Sequence, residues 1–140
     1  MVTRKATAFA FIAILIIAWL VVFVTQVEAE TIDEQIQTLI GEWNGAWPGL
    51  PGAPCTLIIH EIDSANAKAR CTYTTASRPE KKYPVMADFI PGPQPKLEFT
   101  VEGYEIKLVL KGKVLQGTGR GMTTLGLGSN TIEIEKSPQK

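Results

Sequence analysis

The sequence predicts an all-β fold: an antiparallel up-and-down β-barrel of about eight strands, arranged as a meander and preceded by a short N-terminal helix. Three observations predict it. Short stretches alternate apolar and polar residues, the period-2 pattern of a half-buried strand, most clearly over 96–101 (Lys-Leu-Glu-Phe-Thr-Val) and 104–110 (Tyr-Glu-Ile-Lys-Leu-Val-Leu). Turn residues separate these stretches, with 12 glycines and 9 prolines falling after residue 40. Closing such a meander on itself leaves no exposed edge. An open sandwich of the same strands is the alternative architecture.

The helix comes first. Over 31–40 the apolar residues Ile32, Ile36, Leu39 and Ile40 lie on one face of a 3.6-residue period. Thr31 and Glu34 form a capping box, and Gly41 ends the run. A helix this short is marginal alone, so it must lie against something apolar, and the end of a barrel suits it.

Trp43 opens the first strand, and the segment from Trp47 through Pro54 breaks regular structure with prolines and glycines. Residues 56–62 read as a strand, Asp63-Ser64-Ala65-Asn66 as a turn, and 67–75 as the partner strand. Residues 77–82 read as a polar loop and 83–90 as a strand closed by Pro91-Gly92-Pro93. Glu102-Gly103 is a two-residue hairpin loop that pairs Val101 with Tyr104, Phe99 with Ile106 and Leu97 with Leu108. Lys111-Gly112 is read as a second such loop, pairing Leu110 with Lys113, Leu108 with Leu115 and Ile106 with Gly117. Residues 122–130 are glycine-rich and carry no clear period. A last alternating strand covers 131–136, before a polar tail at 137–140.

The 140 residues suit one domain, taken as 30–136. Residues 1–29 read as a targeting segment: Arg4 and Lys5, then residues 6–24 without a charge, then Val27-Glu28-Ala29 as a cleavage site. The same apolar run is long enough to span a bilayer, so an uncleaved anchor is the competing reading. Both place the domain outside the cytoplasm, periplasmic or extracellular, with membrane contact only through 6–24 if uncleaved. Fourteen basic and fourteen acidic side chains cancel, which gives the chain no electrostatic reason to bind nucleic acid. Cys55 and Cys71, an even pair in an exported chain, suggest one disulfide, although their hairpin positions are diagonal rather than opposed. Two buried free thiols are the alternative.

A short helical turn followed by Gly41-Glu42-Trp43 at the opening of an eight-stranded meander resembles the calycin superfamily, which includes lipocalins, avidins and small bacterial protease inhibitors. The resemblance implies that Trp43 closes one barrel end against a basic side chain from a late strand. Arg120 is the only arginine late in the chain, and it falls in the penultimate strand rather than the last.

No catalytic constellation stands out, and no cofactor is expected. His60, the single histidine, reads as a structural or surface residue beside Ile58 and Ile62, and no CxxC spacing offers a metal site. Asp88 and the pairs Glu102/Glu105 and Glu133/Glu135 read as outward residues. Residues 117–121 (Gly-Thr-Gly-Arg-Gly) lack the ending of a phosphate loop and read as a strand. Binding remains. The inward set is Leu57, Tyr73, Phe89, Leu97, Phe99, Tyr104, Ile106 and Leu108, and it either fills a core or lines a cavity. Gly117 and Gly119 leave room for sharp curvature or for an occupant, and enlarging Gly117 would then block the cavity. Gly41 and Gly103 are read as structural. The expected function is an exported non-enzymatic binder of a small apolar or amphipathic ligand. The alternative is a protease inhibitor using the N-terminal arm (30–37), or a protein- or sugar-recognition module using the Trp47–Pro54 loop.

Overall fold

A computed structural model describes residues 30–47, 54–75, 78–123 and 126–138. Residues 1–29, read from the sequence as a targeting segment, and most of the proline-rich loop, residues 48–53, lie outside the described residues. One helix, α1 (Ile32–Leu39), precedes eight strands: β1 (Gly41–Ala46), β2 (Pro54–Asp63), β3 (Lys68–Thr75), β4 (Arg78–Ile90), β5 (Lys96–Val101), β6 (Tyr104–Lys111), β7 (Val114–Thr123) and β8 (Gly126–Lys136). Each strand pairs antiparallel with its sequence neighbours, and β8 pairs with β1, so the sheet is a closed barrel. Among the described residues no helix is long and apolar enough to cross a membrane.

The helix forms as its capping box dictates. Glu34 N–H donates to Thr31 Oγ1 at 3.3 Å, and Thr31 N–H donates to Glu34 Oε2 at 2.8 Å. Such a cap contributes about 1 kcal/mol. The turn after β2 is held by Asp63, whose Oδ1 accepts from the N–H groups of Ala65 and Asn66. That carboxyl is held below its usual range by hydrogen bonds, first from the Asn66 side chain.

The hairpin at Glu102-Gly103 has the expected register, with Val101 opposite Tyr104, Phe99 opposite Ile106 and Leu97 opposite Leu108. Both central residues have positive φ, Glu102 at 47° and Gly103 at 82°, as a type I′ turn requires. The next hairpin departs from expectation. Its two turn residues are Gly112 and Lys113, and Leu110 pairs with Leu115, Leu108 with Gly117 and Ile106 with Gly119. The expected register set a buried leucine opposite Lys113. Sliding two positions keeps every residue on its own face and gives Leu110 an apolar partner.

Residues 78–82 are strand, not loop, so β4 runs from Arg78 to Ile90 with its first five residues exposed. In β2 the register shifts between Ile59 and Glu61. This bulge leaves His60 and Glu61 both outside and returns Ile62 to the interior, so Ile62 does not share a face with His60. His60 Nε2 lies 2.8 Å from Thr72 Oγ1 on the outer surface. Asp88 is also outside, paired with Lys68.

The expected disulfide does not form; both thiols are free and buried. The register explains why. Cys71 pairs with Ile59 and Cys55 with Thr75, so the cysteines sit four positions apart along one strand pair. At about 3.3 Å per residue their Cα atoms are roughly 13 Å apart, far beyond the reach of a disulfide.

Candidate functional site

The barrel has one end sealed by its own chain and one end built of aromatic rings. At the sealed end α1 lies across the opening. Trp43 is fully buried, and its Nε1–H donates to Leu39 O at 2.8 Å. Lys136, near the end of β8, lies 5.7 Å from the Trp43 ring centroid, and its Nζ donates to Thr38 O at 2.7 Å and to Gln37 O at 3.5 Å. Ile40 N–H donates to Ile36 O at 3.0 Å. The last four carbonyls of the helix, orphans in any isolated helix, thus all find donors, and a cation stands at the negative end of its dipole. Burial lowers the Lys136 pKa.

Gly41 explains its own place in this arrangement. A Cβ there would come within 3.0 Å of Lys136 Cε, and its φ is 130°. The glycine leaves a track along which the lysine stem reaches the tryptophan. Lys136, not Arg120, is therefore the basic partner of Trp43; Arg120 is exposed on β7. Gln35, 4 % exposed, completes the seal by donating from Nε2 to Gly92 O at 2.8 Å and accepting from Gly92 N–H. The predicted arm is thus a docked helix rather than an extended segment.

Between the ends the barrel is filled. Leu57, Phe89, Ile106 and Leu108 are each no more than 2 % exposed, Leu97 is fully buried, and Tyr73 and Phe99 are each 5 % exposed. These residues form one core cluster. Gly117 does not open space toward an occupant, because a Cβ there would fall 1.8 Å from Lys107 O on the neighbouring strand. Its role is close approach of backbone in a tightly coiled sheet, and enlarging it would break the β6–β7 ladder rather than plug a cavity.

The other end, the mouth, gathers the hairpin at Glu102-Gly103 and the chain leaving β1. Tyr73 and Tyr83 pair across β3 and β4, and Tyr73 meets Phe99 with ring centroids 5.9 Å apart. Two further rings cover successive inward glycines of β7. A Cβ on Gly119 would lie 2.4 Å from Trp47 Cη2, and one on Gly121 would lie 2.5 Å from Tyr104 Cδ1. The glycines do supply room, then, and tryptophan and tyrosine rings take it. Trp47 is partly buried against the core, and Tyr104, expected among the inward residues, stands at the rim 40 % exposed.

The rings carry polar tips. Trp47 Nε1–H donates to Tyr73 Oη at 2.8 Å. Burial first, then the nearby Cys55 charge, raises the Tyr73 phenol above its ordinary value. Burial pushes Cys55 up to about 11, opposed by the Tyr73 hydrogen bond, and pushes Cys71 up to about 12. Thiols that stay protonated at neutral pH are poor nucleophiles. The Tyr83 hydroxyl is enclosed beside Lys81 and Glu102 but makes no hydrogen bond of good geometry. Lys81 Nζ lies 4.8 Å from the Tyr83 ring centroid and 2.9 Å from Glu102 Oε1, and Arg78 reaches the same carboxylate at 3.4 Å. The Lys81 hydrogen bond is the main cause that holds the Glu102 carboxyl low, and Glu102 in turn raises Lys81.

A concavity of about 590 Å³ lies away from these rings, on the wall where β6, β7, β8 and β1 meet, lined by Val109, Gln116, Thr118, Thr131 and Glu133 among others. It is open, and Gln116 Nε2 already donates to Glu133 Oε2 at 2.7 Å across it. Of the residues proposed from sequence, Tyr73, Phe99 and Tyr104 come together at the mouth, whereas Leu57, Phe89 and Ile106 pack the core. Trp47, Tyr83 and Lys81 complete the mouth. The signal for Trp47 lay in its spacing, two and four residues beyond the inward positions 45 and 43. No protein-family model, curated protein or solved structure matches the chain.

Proposed function

We propose that this is a calycin-like, non-enzymatic binding protein, exported by residues 1–29, that takes a small amphipathic ligand at its aromatic mouth. One observation carries the reading. Trp47, Tyr73, Tyr83, Phe99 and Tyr104 gather at the end of the barrel that the helix leaves open. Ring faces supply apolar contact, while the indole N–H and phenol hydroxyls supply the few polar groups that orient a ligand. Arg78, Lys81 and Glu102 form a charged cluster beside Tyr83 at this rim. The proposal sets recognition at the mouth instead of deep in the filled interior or on the docked N-terminal helix.

The test is native mass spectrometry of the exported protein together with titration of an apolar fluorescent probe. The expected result is one probe bound per chain, with binding lost in Tyr104→Ala and retained in Val109→Ala on the outer wall. Absence of saturable binding would overturn the reading, as would binding that Val109→Ala abolishes and Tyr104→Ala does not.

A further inference from the structure

The geometry points to Trp47 as a resident occupant of the binding site, and to a planar aromatic ligand with one hydrogen-bond donor, about the size of a bicyclic ring, as the molecule that replaces it. This inference rests on the mouth reading above and names the chemistry of the ligand.

The indole sits in a slot with three defined surfaces. Its floor is the backbone of Gly119, where a Cβ would approach Cη2, Cζ3 and Cζ2 of the ring to 2.4, 2.8 and 3.2 Å. A flat ring is what fits against a residue with no side chain. One end of the slot is the Tyr73 hydroxyl, which accepts the indole N–H at 2.8 Å. That hydroxyl acts as the acceptor toward the indole, so the position calls for a donor. Behind Tyr73 stands Phe99, and beside the slot Tyr104 covers Gly121. A ring that left would expose an apolar, flat-floored space with one directed acceptor.

The ring is also placed to leave. Trp47 follows Ala46, whose pairing with Pro54 is the last ladder pair of β1 among the described residues. It is only partly buried. Trp43, by contrast, is fully buried and paired on both sides, with Leu57 and with Lys136. A plug of this kind lowers apparent affinity by the fraction of molecules in which it is out, and a variant lacking it binds more tightly by the same factor.

The test uses ¹⁵N-labelled protein, isolated as the cell exports it, and unlabelled indole as the probe. Trp43 Nε1–H serves as an internal reference for an intact fold, since it is bonded within the sealed end. Indole is expected to shift the Trp47 Nε1–H resonance toward that of an exposed indole while Trp43 stays fixed. Trp47→Ala should bind indole at least about tenfold more tightly than the unsubstituted protein. It should also prefer indole to 1-methylindole by roughly 2- to 10-fold, a preference lost when Tyr73→Phe is added. Gly119→Ala is the second variant, useful if Trp47→Ala does not fold. Its new methyl must expel the ring, so the Trp47 resonance should move without any ligand, and a resonance left in place would overturn the slot. Saturable indole binding that leaves Trp47 Nε1–H unmoved would overturn the plug while sparing the mouth as a binding site. No binding by either the unsubstituted protein or Trp47→Ala, with Trp43 intact, would overturn both.

Discussion

Trp43 and Trp47 stand four residues apart on one face of the same segment, and they are held in different ways. Trp43 is inside the ladder, covered by α1 and Lys136, with its N–H spent on a helix carbonyl. Trp47 is just beyond the ladder, resting on a glycine, with its N–H on a tyrosine hydroxyl that belongs to the mouth. The difference teaches that a ring's place depends on what holds it as well as on how deeply it is buried. Trp43 is held by a helix, two strands and a cation, whereas among the described residues Trp47 has packing against the core, a glycine floor and one hydrogen bond.

The comparison breaks first on stability. Trp43→Ala should lose about 3–5 kcal/mol, from packing and from the cavity left at the sealed end. Trp47→Ala should lose under about 2 kcal/mol, since less of its surface is covered. Urea unfolding of both variants checks this, and equal losses would erase the distinction.

Lys136→Met sharpens the account of the sealed end. It keeps most of the stem over Gly41 but removes the cation from the Trp43 ring and from the helix terminus, for a loss of about 1–2 kcal/mol. If the same unfolding experiment gave no change, Lys136 would be a surface residue and the resemblance at Gly41-Glu42-Trp43 would lose its partner.

The thiols link the core to pH. Both have folded-state values above the ordinary value of 9.0, at about 11 for Cys55 and about 12 for Cys71. Between 9 and those values the unfolded chain releases a proton that the folded chain retains, so stability should fall as pH rises above about 9. Below that it should be flat with respect to these groups. A series of melting temperatures from pH 7 to 11, compared with the Cys55→Ala, Cys71→Ala double variant, isolates the effect. In native protein at pH 8 both thiols should resist a water-soluble thiol reagent, and both should react once the chain is unfolded.

The smallest effect belongs to the rim. Glu102→Gly removes a residue at φ 47°, relieving about 1 kcal/mol of left-handed strain, and removes ion pairs that solvent largely screens. The net change should be small, and stabilising if it is seen at all. A clear loss would show that Glu102 orders the mouth through Lys81 and Arg78 more strongly than an exposed pair usually does.

The legible parts of this fold were those where side-chain pattern and turn chemistry agree. The 101/104 hairpin is one, because Glu102-Gly103 admits a single register in which every apolar residue meets another. The β6–β7 register was not legible, because a slip of two residues preserves every face and only the exact turn distinguishes the alternatives. Residues 78–82 show no alternation because all five are exposed where β4 extends to the mouth. Lys136 was hidden by its appearance as one more polar residue near the tail; the clue was Gly41, whose missing side chain makes room for the stem. The glycines of β7 were rightly read as space at Gly119, but the occupant came from 72 positions earlier in the chain, the indole of Trp47, which pattern within a strand cannot show.

The bond from Lys136 to Thr38 joins residues 98 apart in sequence, and it lies on the seam where β8 meets β1. Every other strand pairing is between neighbours along the chain and can zip from a local turn. The seam alone must bring the two ends of the domain together, against the full entropy of closing the longest loop the fold contains. Until it does, β1 and β8 each present a free edge able to recruit the same edge of another molecule. In the closed barrel the lysine that caps the helix adds to this seam a contact that pairing of like edges between two chains would lack.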